Sequence, residues 1–165
     1  MELYNKGMEL LNEKFGNNKD NVIGLATIAL EPSAVGNPRP AVRDVDAFYE
    51  DGVFYVSTYG KSNKILQVAQ NGEVALAVNF EWFTASGIGE NLGWVLDPKN
   101  AGIRAKLRTA FAQWYDMANN ENDENCCILA IKMTSGIINI NHHETLIFMD
   151  FTNKTATLKG KELQA

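Results

Sequence analysis

Four cations, Arg39, Arg43, Lys61 and Lys64, fall between positions 39 and 64 of a chain that is acidic overall. The last two sit in Ser57-Thr58-Tyr59-Gly60-Lys61-Ser62-Asn63-Lys64, a run of hydroxyls, ammonium groups and one amide. If that run carries a strand end into a helix start, its side chains join the free amides of the first helical turn. Such an array suits a phosphate, through charge-assisted hydrogen bonds and the positive helix end. On an extended chain Arg39, Ala41, Arg43, Val45 and Ala47 share one face, and Asp44 and Asp46 take the other. Arginines among aliphatic residues need an anionic partner once buried, and these two aspartates point away from Arg43. The alternative is a solvated edge strand whose arginines pair with surface carboxylates, and strand geometry alone leaves both readings open. The helix-start context of Ser57–Lys64 favours the anion site.

Other chemistries lack their parts. Gly87-Ile88-Gly89 is a GxG fragment whose third glycine is replaced by Leu92, with no βαβ unit around it. His142 and His143 are the only histidines, and neighbours on a strand face opposite ways, so they cannot hold one metal together. The hydrolase GxSxG pattern is missing. Cys126 and Cys127 are adjacent, which excludes a CxxC pair and a staple between distant segments; they read as reduced thiols on opposite faces of a strand. No side chain is assigned a catalytic role and no set a metal.

The whole chain sets the frame for this segment. Its 165 residues imply one domain spanning 1–165. Apolar residues make up 45% and charged residues 21%, which excludes wholesale disorder. Fifteen basic against 20 acidic residues give a net charge of −5, which argues against a general nucleic-acid binder. No apolar run approaches the roughly 20 residues of a bilayer span. The first residues mix charges among apolar positions without a signal-peptide core, so the expected location is cytoplasmic.

Hydrophobic periodicity supplies the elements. Tyr4, Met8, Leu11 and Phe15 mark an amphipathic opening helix. Val22–Leu30 reads as a strand buried on both faces, followed by a loop through Pro32 and Pro38. Ala41–Tyr49 and Val53–Thr58 flank Asp51-Gly52 as a hairpin. Ser62 caps a short helix to Gln70, and Val74–Phe83 is one long strand with Val74, Leu76, Val78, Phe80 and Trp82 on one face and Asn79 on the other. A weaker extended segment follows over Gly87–Val95. Asp97-Pro98 opens a helix with the stripe Ile103, Leu107, Ala110, Phe111 and Trp114, and Met117–Asn125 is a loop. Strands over Cys126–Met133, Ile137–Asn141, Leu146–Phe151 and Thr155–Leu158 complete the pattern. Hairpin-linked strands with few helices argue against a doubly wound parallel sheet and for an antiparallel barrel with helices packed outside, a mainly β chain of the α+β class.

The sequence resembles the pyridoxamine 5′-phosphate oxidase-like proteins, the FMN-binding split barrels. The likeness runs through GLATIAL, GNPRPAVRDVDAFYEDGVFYVSTYGKSNKILQVAQNGEVALAV, FTASGIGE and DPKNAGIRAKLRTAFAQWY. It implies an antiparallel split β-barrel that dimerises with itself and binds FMN at the subunit interface. By position, Arg43, Ser57, Thr58 and Lys64 would hold the FMN phosphate and ribityl chain. Where those oxidases carry a basic pair, this chain has Asn63-Lys64, with Lys61 or Arg39 as replacement for the lost charge, beside Ser62. The backbone of Asp44 and Val45 would run along the isoalloxazine ring, and Trp82 or Ser86 would reach it from the partner subunit. The arginine- and histidine-rich end of the true oxidases is absent, since no arginine follows Arg108. Vitamin B6 is therefore not the expected substrate. The resemblance implies an FMN-dependent oxidoreductase acting on a small planar molecule, with a flavin- or haem-binding module without turnover as the alternative.

Overall fold

A computed structural model describes residues 1–78 and 80–161 of the chain. Asn79, and the end of the chain from residue 162, lie outside the described residues. Eight strands follow in order: β1 (Asn21–Ile28), β2 (Pro40–Glu50), β3 (Val53–Tyr59), β4 (Glu73–Val78), β5 (Phe83–Trp94), β6 (Cys126–Ile140), β7 (Thr145–Asp150) and β8 (Thr155–Gly160). The helices are α1 (Glu2–Phe15), α2 (Asn63–Gln70), α3 (Ala101–Ala110) and α4 (Tyr115–Ala118). The sheet runs β3-β2-β1-β4-β5-β6-β7-β8, and a further β3–β6 pairing closes its first six strands into an antiparallel barrel. This is the mainly β barrel with outer helices that the sequence predicts. No helix among the described residues is long and apolar enough to cross a membrane.

The barrel interior is filled by the inward phase of each strand, including Ile23, Leu25, Val45, Phe54, Val56, Leu76, Phe83, Leu129 and Ile131. Phe15 plugs it from α1, with its ring 5.5–6.0 Å from those of Tyr49, Phe54 and Phe83. A second cluster lies outside the barrel, where Leu107, Phe111 and Tyr115 cover Phe48, Cys126 and Ile128. The Asp51-Gly52 hairpin forms as predicted, with φ of 47° and 83°, the left-handed pair that a tight two-residue turn requires.

Closure is incomplete along one seam. β2 pairs with β1 from Pro40 to Ala47, but with β3 only over Phe48–Glu50. β3 stays paired with β6 along its whole length, Val53–Tyr59 against Cys126–Lys132, so from Val56 on it has β6 alone as a ladder partner. The barrel is thus split between Val45 and Val56, and the two parted strands leave a cleft.

Several boundaries differ from expectation. β1 is buried on one face only: Ile23, Leu25 and Thr27 point in, and Val22 is 55% exposed. Its continuous apolar run serves an exposed apolar outer face as well as the core. The expected long strand Val74–Phe83 ends at Val78; Phe80 and Trp82 take φ of 62° and 54° in a turn, so they leave the inward phase of Val74, Leu76 and Val78. Cys126–Ile140 is one strand rather than two. Gly136 does not break it but lets two rings approach, since a Cβ there would lie 3.2 Å from both Phe83 and Phe151. The helix after Asp97 begins as a 3-10 turn over Pro98–Asn100 and stops at Ala110. The chain then bends, stacking Phe111 on Trp114 at 4.7 Å and burying Tyr115 on α4.

Candidate functional site

The split opens into a cleft of about 410 Å³. Asp44, Val45 and Asp46 of β2 form one wall, and Val56, Ser57, Thr58 and Tyr59 of β3 form another. Lys64, in the first turn of α2, reaches in, and Trp114, Ala118, Asn119, Asn120 and Asp123 close the remaining side. Five of the ten residues expected from the sequence therefore line one cavity: Asp44, Val45, Ser57, Thr58 and Lys64. Ser62 takes the N-cap position of α2 with extended backbone but leaves the helix amides free of its side chain; its Oγ instead accepts from Lys64 Nζ at 3.4 Å. Asn63 opens the helix and Lys61 precedes it, both exposed.

Arg43 stands behind this wall at the barrel end. Its guanidinium donates to Leu25 O at 3.1 Å, Thr27 Oγ1 at 2.6 Å and Gln67 Oε1 at 2.8 Å, and Thr27 also donates to Gln67 at 2.6 Å. Every acceptor is neutral. Neither Arg43 nor Lys64 makes an ion pair among the described residues, so the anionic partner that burial demands is not supplied by this fold's carboxylates. The electrostatics agree: burial lowers the pKa of Arg43, and burial together with the Arg43 charge lowers that of Lys64. Two partly desolvated cations close enough to repel each other form a site that an anion stabilises.

Sequence reading missed the residues that hold these groups. Thr27 and Gln67 are both buried and position Arg43. A signal existed, since Thr27 is the one hydroxyl in the inward phase after Ile23 and Leu25, and Gln67 lies three residues beyond Lys64 on the same helix. Asn119 was also missed; it accepts from Ser57 Oγ at 2.6 Å and donates to Tyr115 O at 2.8 Å, tying the loop to β3. Cys126 lies at the cleft floor, and both thiols are free and buried, with burial raising the pKa of each.

Trp82 occupies a different place. It lines a second cleft with Phe80, Phe83, Ile137, Asn139, His143 and Leu146, edge-on to the rings of His142 and His143 at 5.8 and 5.3 Å. The cation cleft contains no histidine among its lining residues.

No protein-family model and no curated protein matches the sequence. Solved structures do match. A pyridoxamine 5′-phosphate oxidase-related, FMN-binding protein from Nostoc punctiforme superposes with a TM-score of 0.60 at 15% identity, covering 96% of this chain and 94% of that one. A Clostridium acetobutylicum protein related to general stress protein 26, of the pyridoxinephosphate oxidase family, gives 0.59 at 12%, covering 93% and 98%. A haem-binding protein from Mycobacterium smegmatis gives 0.59 at 13%, covering 82% of this chain and 55% of its own. The chain therefore has the fold of the pyridoxamine 5′-phosphate oxidase-related proteins, as the sequence resemblance implied.

Proposed function

We propose that this chain is an FMN-binding flavoprotein, an oxidoreductase that passes hydride between a reductant and a small planar substrate. The observation that carries this reading is the Arg43–Lys64 pair, two partly desolvated cations that make no ion pair among the described residues, beside a helix start and a split barrel seam. The residues fit the cofactor. Lys64, Ser62 and the α2 amides, with Arg43 behind them, suit the phosphate, and Ser57 and Thr58 offer hydroxyls to a ribityl chain. The Asp44–Val45 backbone then borders the ring. The flavin supplies the redox chemistry through its ring, and the protein supplies binding, orientation and electrostatics.

The FMN-binding relative supports the flavin reading, and the haem-binding one names the competitor. Both histidines stand with Trp82, away from the cation cleft, which favours flavin. The test is titration of the purified protein with FMN and riboflavin, followed by absorbance. Tighter binding of FMN is expected, since each charge-assisted hydrogen bond to the phosphate contributes roughly 1.5–3 kcal/mol. Equal affinities for the two, or a Soret band in place of the flavin spectrum, would refute the assignment.

The working unit is proposed to be a homodimer. Val42, Val22, Phe148 and Ile137 are 74, 55, 37 and 36% exposed on the outer sheet face. Val42, Phe148 and Ile137 surround a shallow apolar depression of about 600 Å³ with a small-residue floor of Gly24, Ala26, Ala75 and Ala77. A second copy would cover that face. The Trp82 cleft shares Ala77, Thr84 and Ile137 with it, which supports the proposal that Trp82 contacts a flavin held by the other copy. Val42→Asp is expected to yield a monomer by light scattering with weakened FMN binding.

A further inference from the structure

Ser57 lines the cation cleft with a hydroxyl whose polarity the fold has already decided. It donates to Asn119 Oδ1 at 2.6 Å, across 62 positions of the chain. A serine hydroxyl has one proton, so this bond leaves Oγ with lone pairs alone. The direction of the bond follows from the other end of the same carboxamide. Asn119 Nδ2 donates to Tyr115 O at 2.8 Å, and a carbonyl oxygen only accepts. The amide nitrogen therefore faces Tyr115 and the amide oxygen faces Ser57. The backbone N–H of Asn119 also donates to Tyr115 O, at 3.0 Å, which fixes the residue at the end of α4. Tyr115 and Cys126 stand beside Ser57 as well. Tyr115, however, gives its hydroxyl proton to Glu121 Oε1 at 3.0 Å, and the Cys126 thiol lies 3.9 Å from Asn119 Oδ1. Among the hydrogen bonds of the described residues, none is donated to Ser57 Oγ.

We infer that Asn119 is a positioning residue of the cleft: it holds Ser57 as an acceptor, so that this point of the wall takes a ligand hydroxyl and not a phosphate oxygen. This rests on the reading of the cleft as the flavin site, where the hydroxyls are those of the ribityl chain. An oxygen that offers only lone pairs repels a phosphate oxygen, which is itself an acceptor, and bonds a group that brings its own proton. Lys64, in the same cleft, has the opposite polarity, with three donors and no lone pair. The cleft thus sorts a molecule that is anionic at one end and hydroxylated beside it. The bond to Asn119 also strengthens Ser57 as an acceptor, because a hydroxyl that donates is polarised toward accepting.

The test titrates FMN, riboflavin and lumiflavin, which keeps the ring but lacks the ribityl chain, against the wild type, Ser57→Ala, Asn119→Ala and the double variant. Ser57→Ala is expected to weaken FMN and riboflavin by the same factor, about three- to tenfold. Asn119→Ala is expected to weaken both by about two- to fourfold, since the freed hydroxyl loses its orientation but keeps its oxygen. Lumiflavin affinity stays level in each. The double variant matches Ser57→Ala alone, because Asn119 acts only through that oxygen. A fall in lumiflavin affinity equal to that of riboflavin makes Asn119 a structural prop and overturns the positioning role. Losses that add in the double variant overturn it too, as does an unchanged riboflavin affinity in Asn119→Ala. An FMN loss larger than the riboflavin loss puts Ser57 on the phosphate and overturns the assigned polarity. A wild type that binds no flavin removes the cofactor reading, and D-ribitol 5-phosphate, followed by NMR titration, then decides. Binding that weakens in Asn119→Ala leaves the acceptor standing for another polyol phosphate, and no binding overturns it.

Discussion

Two basic clusters of this barrel have opposite surroundings. On the outer helices, Arg104 grips Glu121 through two nitrogens at 2.8 and 2.6 Å, and Arg108 reaches Asp116 at 2.8 Å and Glu121 at 3.2 Å. Tyr115 adds its hydroxyl to Glu121 at 3.0 Å, and Arg108 lies over the Tyr115 ring. At the barrel end, Arg43 and Lys64 have only neutral acceptors. The pKa directions separate in the same way: the hydrogen bond to Glu121 raises Arg104, whereas burial lowers Arg43 and Lys64. Both clusters are partly sheltered, so exposure does not distinguish them. Partners do. A cation whose carboxylates are already in place is part of the architecture, and under the proposed function a partly desolvated pair without ion-pair partners is held for the cofactor phosphate.

The sharpest way to break this comparison is to remove one cation from each cluster. Lys64→Met is expected to weaken FMN binding about tenfold or more, from roughly 1.5–3 kcal/mol per charged hydrogen bond less solvent screening. Riboflavin affinity should stay level, and so should the melting temperature without ligand, because the substitution also relieves repulsion from Arg43. Arg43→Met should lose similar FMN affinity but also stability, since Leu25 O, Thr27 and Gln67 lose the guanidinium that donates to them. If Lys64→Met melts several degrees lower without ligand, the lysine is structural and the contrast fails.

The matching substitution is Glu121→Gln, and its effect belongs on stability. Glu121 anchors the loop that walls the cleft, and its backbone O also accepts from Trp94 Nε1 at 2.8 Å. A loss of about 1–3 kcal/mol is expected after solvent screening, a fall of a few degrees in melting temperature. The ratio of FMN to riboflavin affinity should not change.

Acid titration sharpens the same point. Hydrogen bonds from Arg104, then from Tyr115, hold the Glu121 carboxyl down at about 2. The unfolded value is near 4.3, so its contribution is complete above that pH and is lost as pH falls toward 2. Glu121→Gln should flatten that part of the stability curve, measured by denaturant unfolding between neutral and acid pH.

Legibility in the sequence follows the range of the interaction. The hairpin at Asp51-Gly52, the strand-to-helix run Ser57–Lys64 and the alternation of β2 are local, and each reads correctly. Of the four cations that crowd positions 39–64, Arg43 and Lys64 come together at the barrel end, whereas Arg39 and Lys61 are exposed and line no part of the cleft. Thr27 and Gln67, and likewise Ser57 and Asn119, come from distant places in the chain and meet only through ladder register and helix docking, so their roles could not be read from spacing. The turn at Phe80–Trp82 was misread for a different reason. Its alternation of aromatic and polar residues continues the β4 pattern, while the backbone there takes positive φ and sends both rings outward. That same outward turn puts Trp82 beside the apolar face.

The smallest effect expected lies in a pair that looks, on paper, like the Arg104 cluster. Lys132 of β6 donates to Glu90 of β5 across the ladder, with both side chains about half exposed at 56 and 51%. Opposite charges facing each other across paired strands in water gain little, because solvent screens them and two long side chains must be held still. A double-mutant cycle with Lys132→Ala and Glu90→Ala should give a coupling of about 0–1 kcal/mol that shrinks further at high salt. No flavin effect is expected, since neither residue lines the cation cleft. The pair therefore separates the two properties that Arg104 combines. It has a partner but no shelter, and its small coupling would show that a carboxylate stabilises a cation appreciably only where water is partly excluded. Coupling above about 2 kcal/mol that resists salt would sink that distinction, and partner identity alone would then have to explain why Arg104 and Arg43 differ.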